Sequence, residues 1–211
     1  SDEFRNPHQQ PVSQLYPHGA IEIRSVKPLN DVRGIRNYTQ ILAHLRSMKG
    51  VIASPVLSGQ ALVSFAGKDR GITLNGMIPA EIKTVSTIEK YMLEGSIDNL
   101  ISNPDGIVIG KELARKLALS MGKNMTVVSP AGQVRTFKVL GIFRTGRAGY
   151  DSEQGFVALK RAQALLDRPN RINTIIMKLL NPSQARDVAT EIENQIGYKC
   201  LSWLESSEDL N

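Results

Sequence analysis

Asp151 and Glu153, two residues apart behind Gly146 and Gly149, come nearest in type and spacing to reactive chemistry, because paired carboxylates can serve as general acid and general base. That work needs surroundings that drive the two pKa values apart, such as a histidine or an apolar pocket, and neither adjoins them in the sequence. The pattern supports a hydrogen-bonded loop instead. Ser152 has no candidate base at hand, so a hydrolase is not indicated. Gly110-Lys111 opens a helical stretch, but a single glycine without a Gly-x-x-x-x-Gly-Lys-Ser/Thr run makes a tight turn rather than a phosphate cradle. Cys200 is the one cysteine, which rules out an intrachain disulfide, and its neighbours Tyr198 and Leu201 suggest a buried thiol on a strand. His8, His18 and His44 are scattered, and no Cys/His/Asp/Glu spacing resembles a metal site. The expectation is a chain with no catalytic residue, no cofactor and no metal.

With 211 residues, 41% of them hydrophobic, the chain can bury a core as one large domain or two small ones. A formal charge of +6 raises nucleic acid or an anionic membrane surface as partners. The basic residues are spread singly, as at Arg24, Lys68, Lys83 and Lys138, and the densest cluster, Lys160 to Arg171, holds no aromatic residue for base stacking. A solvated, mildly basic surface with no nucleic-acid partner is expected. No apolar run approaches the ~18 residues of a membrane span, and no signal peptide is visible. Ser1-Asp2-Glu3-Phe4 reads as a cloning remnant, which would make the chain an excised piece of a longer one.

The elements that must position these residues are legible in their patterning. Gly106 to Ser129 gives a buried strand (Ile107, Val108, Ile109), a helix with Leu113, Ala114 and Leu117 on one face, and a second strand resumed after Gly122. Nearer the start, residues 1–18 read as a flexible lead and Ala20 to Val26 alternates as a strand. Asn37 with Gln40 forms a capping-box pattern for a helix with stripe Ile41, Leu42, Leu45 and Met48, and Gly50 leads to a strand at Val51-Ile52-Ala53. The same grammar returns late in the chain: strand Ile172 to Leu180, Asn181 cap, Pro182 at the first helical position, Gln184 completing the box, stripe Ala185, Val188, Ala189, Ile192 and Ile196, Gly197, and strand Tyr198 to Leu201. Two such units far apart in sequence predict an α+β fold. A split β-α-β, ferredoxin-like subdomain would come from residues 19–57 and 170–205, with two helices on one face, and an inserted, mostly-β subdomain from residues 58–169. Within the insertion, Ala66-Gly67-Lys68-Asp69 signals a hairpin, Pro79 a strand break, Ser86 to Leu93 a short helix, Pro130-Ala131-Gly132-Gln133 a second hairpin, Arg144 to Gly149 a basic glycine-rich loop, and Arg161 to Leu166 a last short helix.

Gly106-Ile-Val-Ile-Gly-Lys-Glu-Leu-Ala-Arg-Lys-Leu, Val139-Leu-Gly-Ile-Phe, Tyr150-Asp-Ser and Phe156-Val-Ala-Leu-Lys-Arg-Ala-Gln-Ala-Leu-Leu, with Ser54-Pro55, Glu94-Gly95-Ser96 and Cys200-Leu-Ser-Trp203, occur in an order that resembles a known family. The sequence is similar, from about Gly19 to Leu210, to the periplasmic domain of lipoprotein-releasing ABC transporter permeases of the LolC/LolE type, within the wider MacB/FtsX-like group. The resemblance implies a domain held between the first and second transmembrane helices of a permease at the bacterial inner membrane, built from a split subdomain (Porter) and an inserted one (Sabre). It further implies a paired permease subunit, a cytoplasmic ATPase subunit, and lipoprotein or another envelope substrate. Lipoprotein-releasing members often carry a longer excursion between the strands matching Met125–Ser129 and Val134–Phe143, which one of the two permeases uses to hold the carrier chaperone. Here only Pro130 to Gln133 intervene. A basic ferredoxin-like nucleic-acid-binding domain and an enzyme of unknown class are the alternatives. In the permease reading, contacts fall on exposed loops: Lys68 and Asp69 at the first hairpin, and Arg144, Arg147 and Tyr150, whose arginines offer charge-assisted bonds to an acidic partner. A domain looped out between two membrane helices should also bring Gly19 and Trp203 to the same side.

Overall fold

The computed structural model describes residues 20–24, 34–196 and 199–202. Ten strands share one hydrogen-bonded sheet, in the order β10-β1-β9-β2-β3-β8-β5-β7-β4, and β6 pairs both β2 and β7. In chain order the strands are β1 (Ala20–Arg24), β2 (Val51–Phe65), β3 (Lys68–Met77), β4 (Met92–Gly95), β5 (Gly106–Gly110), β6 (Asn124–Val128), β7 (Val134–Phe143), β8 (Gln154–Ala158), β9 (Thr174–Leu179) and β10 (Lys199–Ser202). The helices are α1 (Tyr38–Ser47), α2 (Pro79–Val85), α3 (Asn99–Ser102), α4 (Lys111–Leu117), α5 (Ala148–Glu153), α6 (Leu159–Leu165) and α7 (Ala185–Ile196).

Strands β10-β1-β9-β2 are antiparallel throughout, and their spatial order is fourth, first, third, second. That is the ferredoxin-like arrangement. Ile175, Met177 and Leu179 of β9 face α1 and α7, where Leu42, Leu45, Ala189 and Ile192 are buried. Ile176 faces the other way, into a cluster with Val56, Met77, Ile82, Val85 and Ile88. The sheet is therefore covered on both faces, by its own two helices on one and by α2 on the other. Pro79, expected only to break a strand, sits in the first turn of α2, where its missing N–H costs no hydrogen bond.

β2 and the remaining strands other than β4, which pairs with β7, close into a ring. β2 pairs β3, β3 pairs β8, β8 pairs β5, β5 pairs β7, β7 pairs β6, and β6 returns to β2. Closure removes the open edges that a flat sheet would present. Inward-facing Val63, Ile72, Leu74, Val127, Phe137 and Val157 meet Leu113 and Leu117 of α4 and Leu165 of α6 in one buried core.

Several local expectations need correction. The first hairpin turns on two residues rather than four: Ala66 and Gly67 hold φ of 50° and 78°, and Phe65 pairs Lys68. Two successive left-handed residues match the twist of the flanking strands, so the tighter turn is favoured. Asn37 precedes α1, but its own φ of 54° is left-handed and its side chain makes no capping bond. Side-chain capping requires an extended cap residue, and here the Asn37 carbonyl accepts from the Gln40 and Ile41 amides instead. A 3-10 turn, Pro182–Gln184, leads into α7, with Ser183 Oγ donating to Asn181 Oδ1 at 2.6 Å. The patterned helix at Ser86 to Leu93 is a single 3-10 turn, Ile88–Tyr91, followed by β4. The glycine-rich loop expected from Arg144 to Gly149 gives way at Ala148 to α5, which also holds Tyr150 and Asp151. The lead at residues 1–18, the side chain of Cys200, Gly19 and Trp203 lie outside the described residues. The neighbouring strands are described, and Ile21 of β1 pairs Ser202 of β10.

Candidate partner-contact surfaces

Asp151 is buried, with 2% of its surface exposed, and it organises the segment before it. Its Oδ1 accepts from Thr145 N at 3.0 Å and Thr145 Oγ1 at 2.6 Å, and its Oδ2 accepts from Thr145 N at 3.1 Å and Gly146 N at 3.2 Å. A carboxylate occupied in this way serves as an acceptor for backbone amides and for the Thr145 hydroxyl. Ser152 is also buried and donates its hydroxyl to Gly149 O at 2.9 Å. Two further bonds fix the ends of the segment: Arg144 N donates to Tyr91 O, and Asp151 N to Arg147 O, each at 2.9 Å. Gly110 lets α5 approach closely, because a Cβ there would lie 1.9 Å from Asp151 O. The Tyr150 ring packs tilted against Phe143 with centroids 6.0 Å apart, and Phe143 meets Phe156 edge-on at 5.7 Å. Arg144 and Arg147 are thus exposed on a segment whose backbone is held in place.

Lys68 and Asp69 are exposed as the first residues of β3, and Asp69 Oδ1 accepts from Ser64 Oγ at 2.6 Å. β8 begins beside Thr73, so Lys68 stands five strand residues beyond it, roughly 17 Å at strand rise. The second hairpin is tightly closed, with Ser129 N donating to Gln133 O at 3.0 Å and Gly132 N to Ser129 O at 2.9 Å.

An ion cluster that the sequence left unread joins distant parts of the ring. Asp105 Oδ1 accepts from Arg161 Nε at 2.8 Å and from Arg135 Nη2 at 3.1 Å. These hydrogen bonds, Arg161's the larger, hold the Asp105 carboxyl below its ordinary value. Lys83 donates to Asp98 at 2.8 Å, and that bond raises the ammonium's pKa. Asn103-Pro104-Asp105-Gly106 has the residue types of a turn, but no local signal brings Arg135 and Arg161 to it.

The MacB-like periplasmic core domain family matches residues 9–195. The chain belongs to that family. Solved structures similar to this MacB-like domain include the periplasmic region of MacB from Actinobacillus actinomycetemcomitans, with TM-score 0.64 and 13% identity, covering 95% of this chain and 96% of that one. Another is the extracellular domain of the noncanonic ABC-type transporter YknZ from Gram-positive bacteria, with TM-score 0.58 and 16% identity, covering 87% of this chain and 100% of that one. Both likenesses are of fold. In sequence, the domain is 27% identical over 178 residues to the lipoprotein-releasing system transmembrane protein LolC of Neisseria meningitidis serogroup B, covering 78% of this chain. It is 25% identical over 169 residues to LolC of Xylella fastidiosa, covering 75% of this chain. The chain spans less than half the length of these curated relatives, 43% and 40%.

Proposed function

We propose that this MacB-like domain is the non-catalytic, extracytoplasmic part of an ABC transporter permease subunit of the lipoprotein-releasing kind, and that it transmits motion driven by a cytoplasmic ATPase subunit to an envelope substrate. A paired permease subunit would complete the assembly. The observation that carries this reading is the pairing of β1 with β10. It brings the chain into and out of the domain on adjacent strands, as a segment looped between two membrane helices requires. The identity to LolC sequences favours lipoprotein as the substrate class. The domain would comprise a split part, residues 19–57 and 170–205, and an inserted part, residues 58–169.

Partner contacts would fall on Arg144, Arg147 and Tyr150, with Lys68 and Asp69 as a second surface. Support for the first surface is its preorganisation, because a segment already held by Asp151 loses little freedom on binding. The closed Pro130–Gln133 turn leaves no projecting arm, so the domain alone would not hold a lipoprotein carrier. The test is the parent permease reconstituted with its ATPase subunit in vesicles. Arg144→Ala with Arg147→Ala should reduce substrate release at least tenfold while ATP hydrolysis continues. Undiminished release would remove these arginines from the contact, and release by a permease lacking the whole domain would sink the coupling role.

A further inference from the structure

β2 is the one strand common to the four-stranded sheet and the ring, and each of its edges has a gap. On one edge β9 pairs residues Val51 to Val56 and β6 pairs Leu62 to Ser64, leaving Leu57 to Ala61 between them without a ladder partner among the described residues. The side-chain amide of Asn173 fills part of that gap as a peptide group would: Ser58 N donates to Asn173 Oδ1 at 2.9 Å, and Asn173 Nδ2 donates to Ser58 O at 2.7 Å. The row continues across the sheet, with Ser58 Oγ donating to Asn75 Oδ1 at 2.8 Å and Asn75 Nδ2 to Gln154 Oε1 at 2.9 Å.

On the other edge β3 reaches only to Val56, where Met77 pairs it before the chain turns into α2. No described strand pairs Val51 to Pro55 there. Pro55 lacks an N–H to leave unpaired, and the guanidinium of Arg46, from α1, covers Ala53: Nε and Nη2 donate to Ala53 O at 3.2 and 3.1 Å. The same Nη2 reaches Glu81 Oε2 of α2 at 2.8 Å, and the buried Ser54 hydroxyl donates to that oxygen at 2.7 Å. Arg46 therefore ties α1, the open edge of β2 and α2 at one point.

Resting on the coupling role proposed above, we infer that these two side-chain bridges, on opposite edges of β2, fix the angle between the four-stranded sheet and the ring, so that the domain turns as one piece. Apolar packing on both faces, through Val56 and Ile176 on one side and Leu57 and Leu159 on the other, resists separation of the two parts. Such packing is non-directional and tolerates sliding, whereas hydrogen bonds lose strength steeply with misalignment. Asn173 and Arg46 act here as positioning residues.

The test measures distances by double electron–electron resonance in the full 211-residue chain carrying Cys200→Ser. One spin-label pair, Lys49→Cys with Lys68→Cys, spans the two parts. A second, Lys68→Cys with Ala131→Cys, lies within the ring. Without further change both pairs should give narrow distributions. Adding Arg46→Met and Asn173→Ala should at least double the width for the spanning pair and leave the ring pair unchanged, and each substitution alone should show a smaller broadening in the same pair. A spanning distribution that is broad from the outset, one that stays narrow in the double variant, or equal broadening of both pairs would each overturn the inference. Loss of transport in the reconstituted permease bears on the coupling role and leaves these distances standing.

Discussion

Replacing Asp151 with alanine removes the acceptor shared by Thr145 and Gly146. Hydrogen bonds to a charged group contribute about 1.5–3 kcal/mol, so urea denaturation should show a loss of roughly that size, with Asp151→Asn intermediate. Glu153→Ala, at an exposed position, should stay within about 0.5 kcal/mol. The sequence showed two carboxylates close together and favoured a hydrogen-bonded loop over catalysis, and Asp151 serves that loop. Which carboxylate is buried was not legible, because burial depends on the approach of Gly110 from another part of the chain. Asp105 offers a pH test. Its folded pKa lies below the unfolded one, so its pairing with Arg161 and Arg135 stabilises the fold at neutral pH. That contribution is lost as pH falls through the folded value. The stability difference between wild type and Asp105→Asn should therefore be largest near pH 7 and close progressively below the ordinary carboxylate range, as read from denaturation midpoints across an acid series.

At the scale of elements, α1 and α7 were readable because their apolar stripes repeat at helical spacing and end at defined positions. Leu45 and Ile192 are both fully buried in the same cluster. Either truncation to alanine should cost about 2–5 kcal/mol, while the exposed Glu193→Ala should cost little. Similar melting of Ile192→Ala and Glu193→Ala would show the register of α7 to be wrong. The caps were less legible than the stripes: Asn37 has the right type and spacing for a side-chain cap, but a left-handed backbone keeps it from acting as one. α2 escaped notice because its buried residues, Ile82 and Val85, are too few to establish a period, and they face a sheet assembled from residues far away in sequence. The closeness of α4 and α5 carries its own expectation. A methyl group at Gly110 would collide with Asp151 O, so Gly110→Ala should destabilise by about 1–3 kcal/mol, measurable by thermal melting, although the φ of −70° at Gly110 is one that alanine adopts freely.

At the scale of the whole molecule, the four-stranded split sheet was legible from the repeated β-α-β grammar, but the closing of the ring was not. Ring closure depends on β6 pairing both β2 and β7 and on the parallel pairs β3–β8 and β5–β7, which leave no local mark in the sequence. Because β2 runs through both parts, denaturant unfolding should be a single cooperative transition with coincident probes, and two resolved transitions would contradict the sharing of that strand. The pairing of β1 has a different consequence during synthesis. Its two neighbours, β9 and β10, both emerge late, and 150 residues separate Arg24 from Thr174. At about 5–20 residues per second, a ribosome leaves β1 without β9 or β10 for roughly 8–30 s, while the strands of the ring emerge in turn and can pair with one another. Of the described strands, the first made is among the last to be housed, and over that interval the nascent chain carries an unmatched strand that a holding chaperone, or a neighbouring nascent chain, is free to take up.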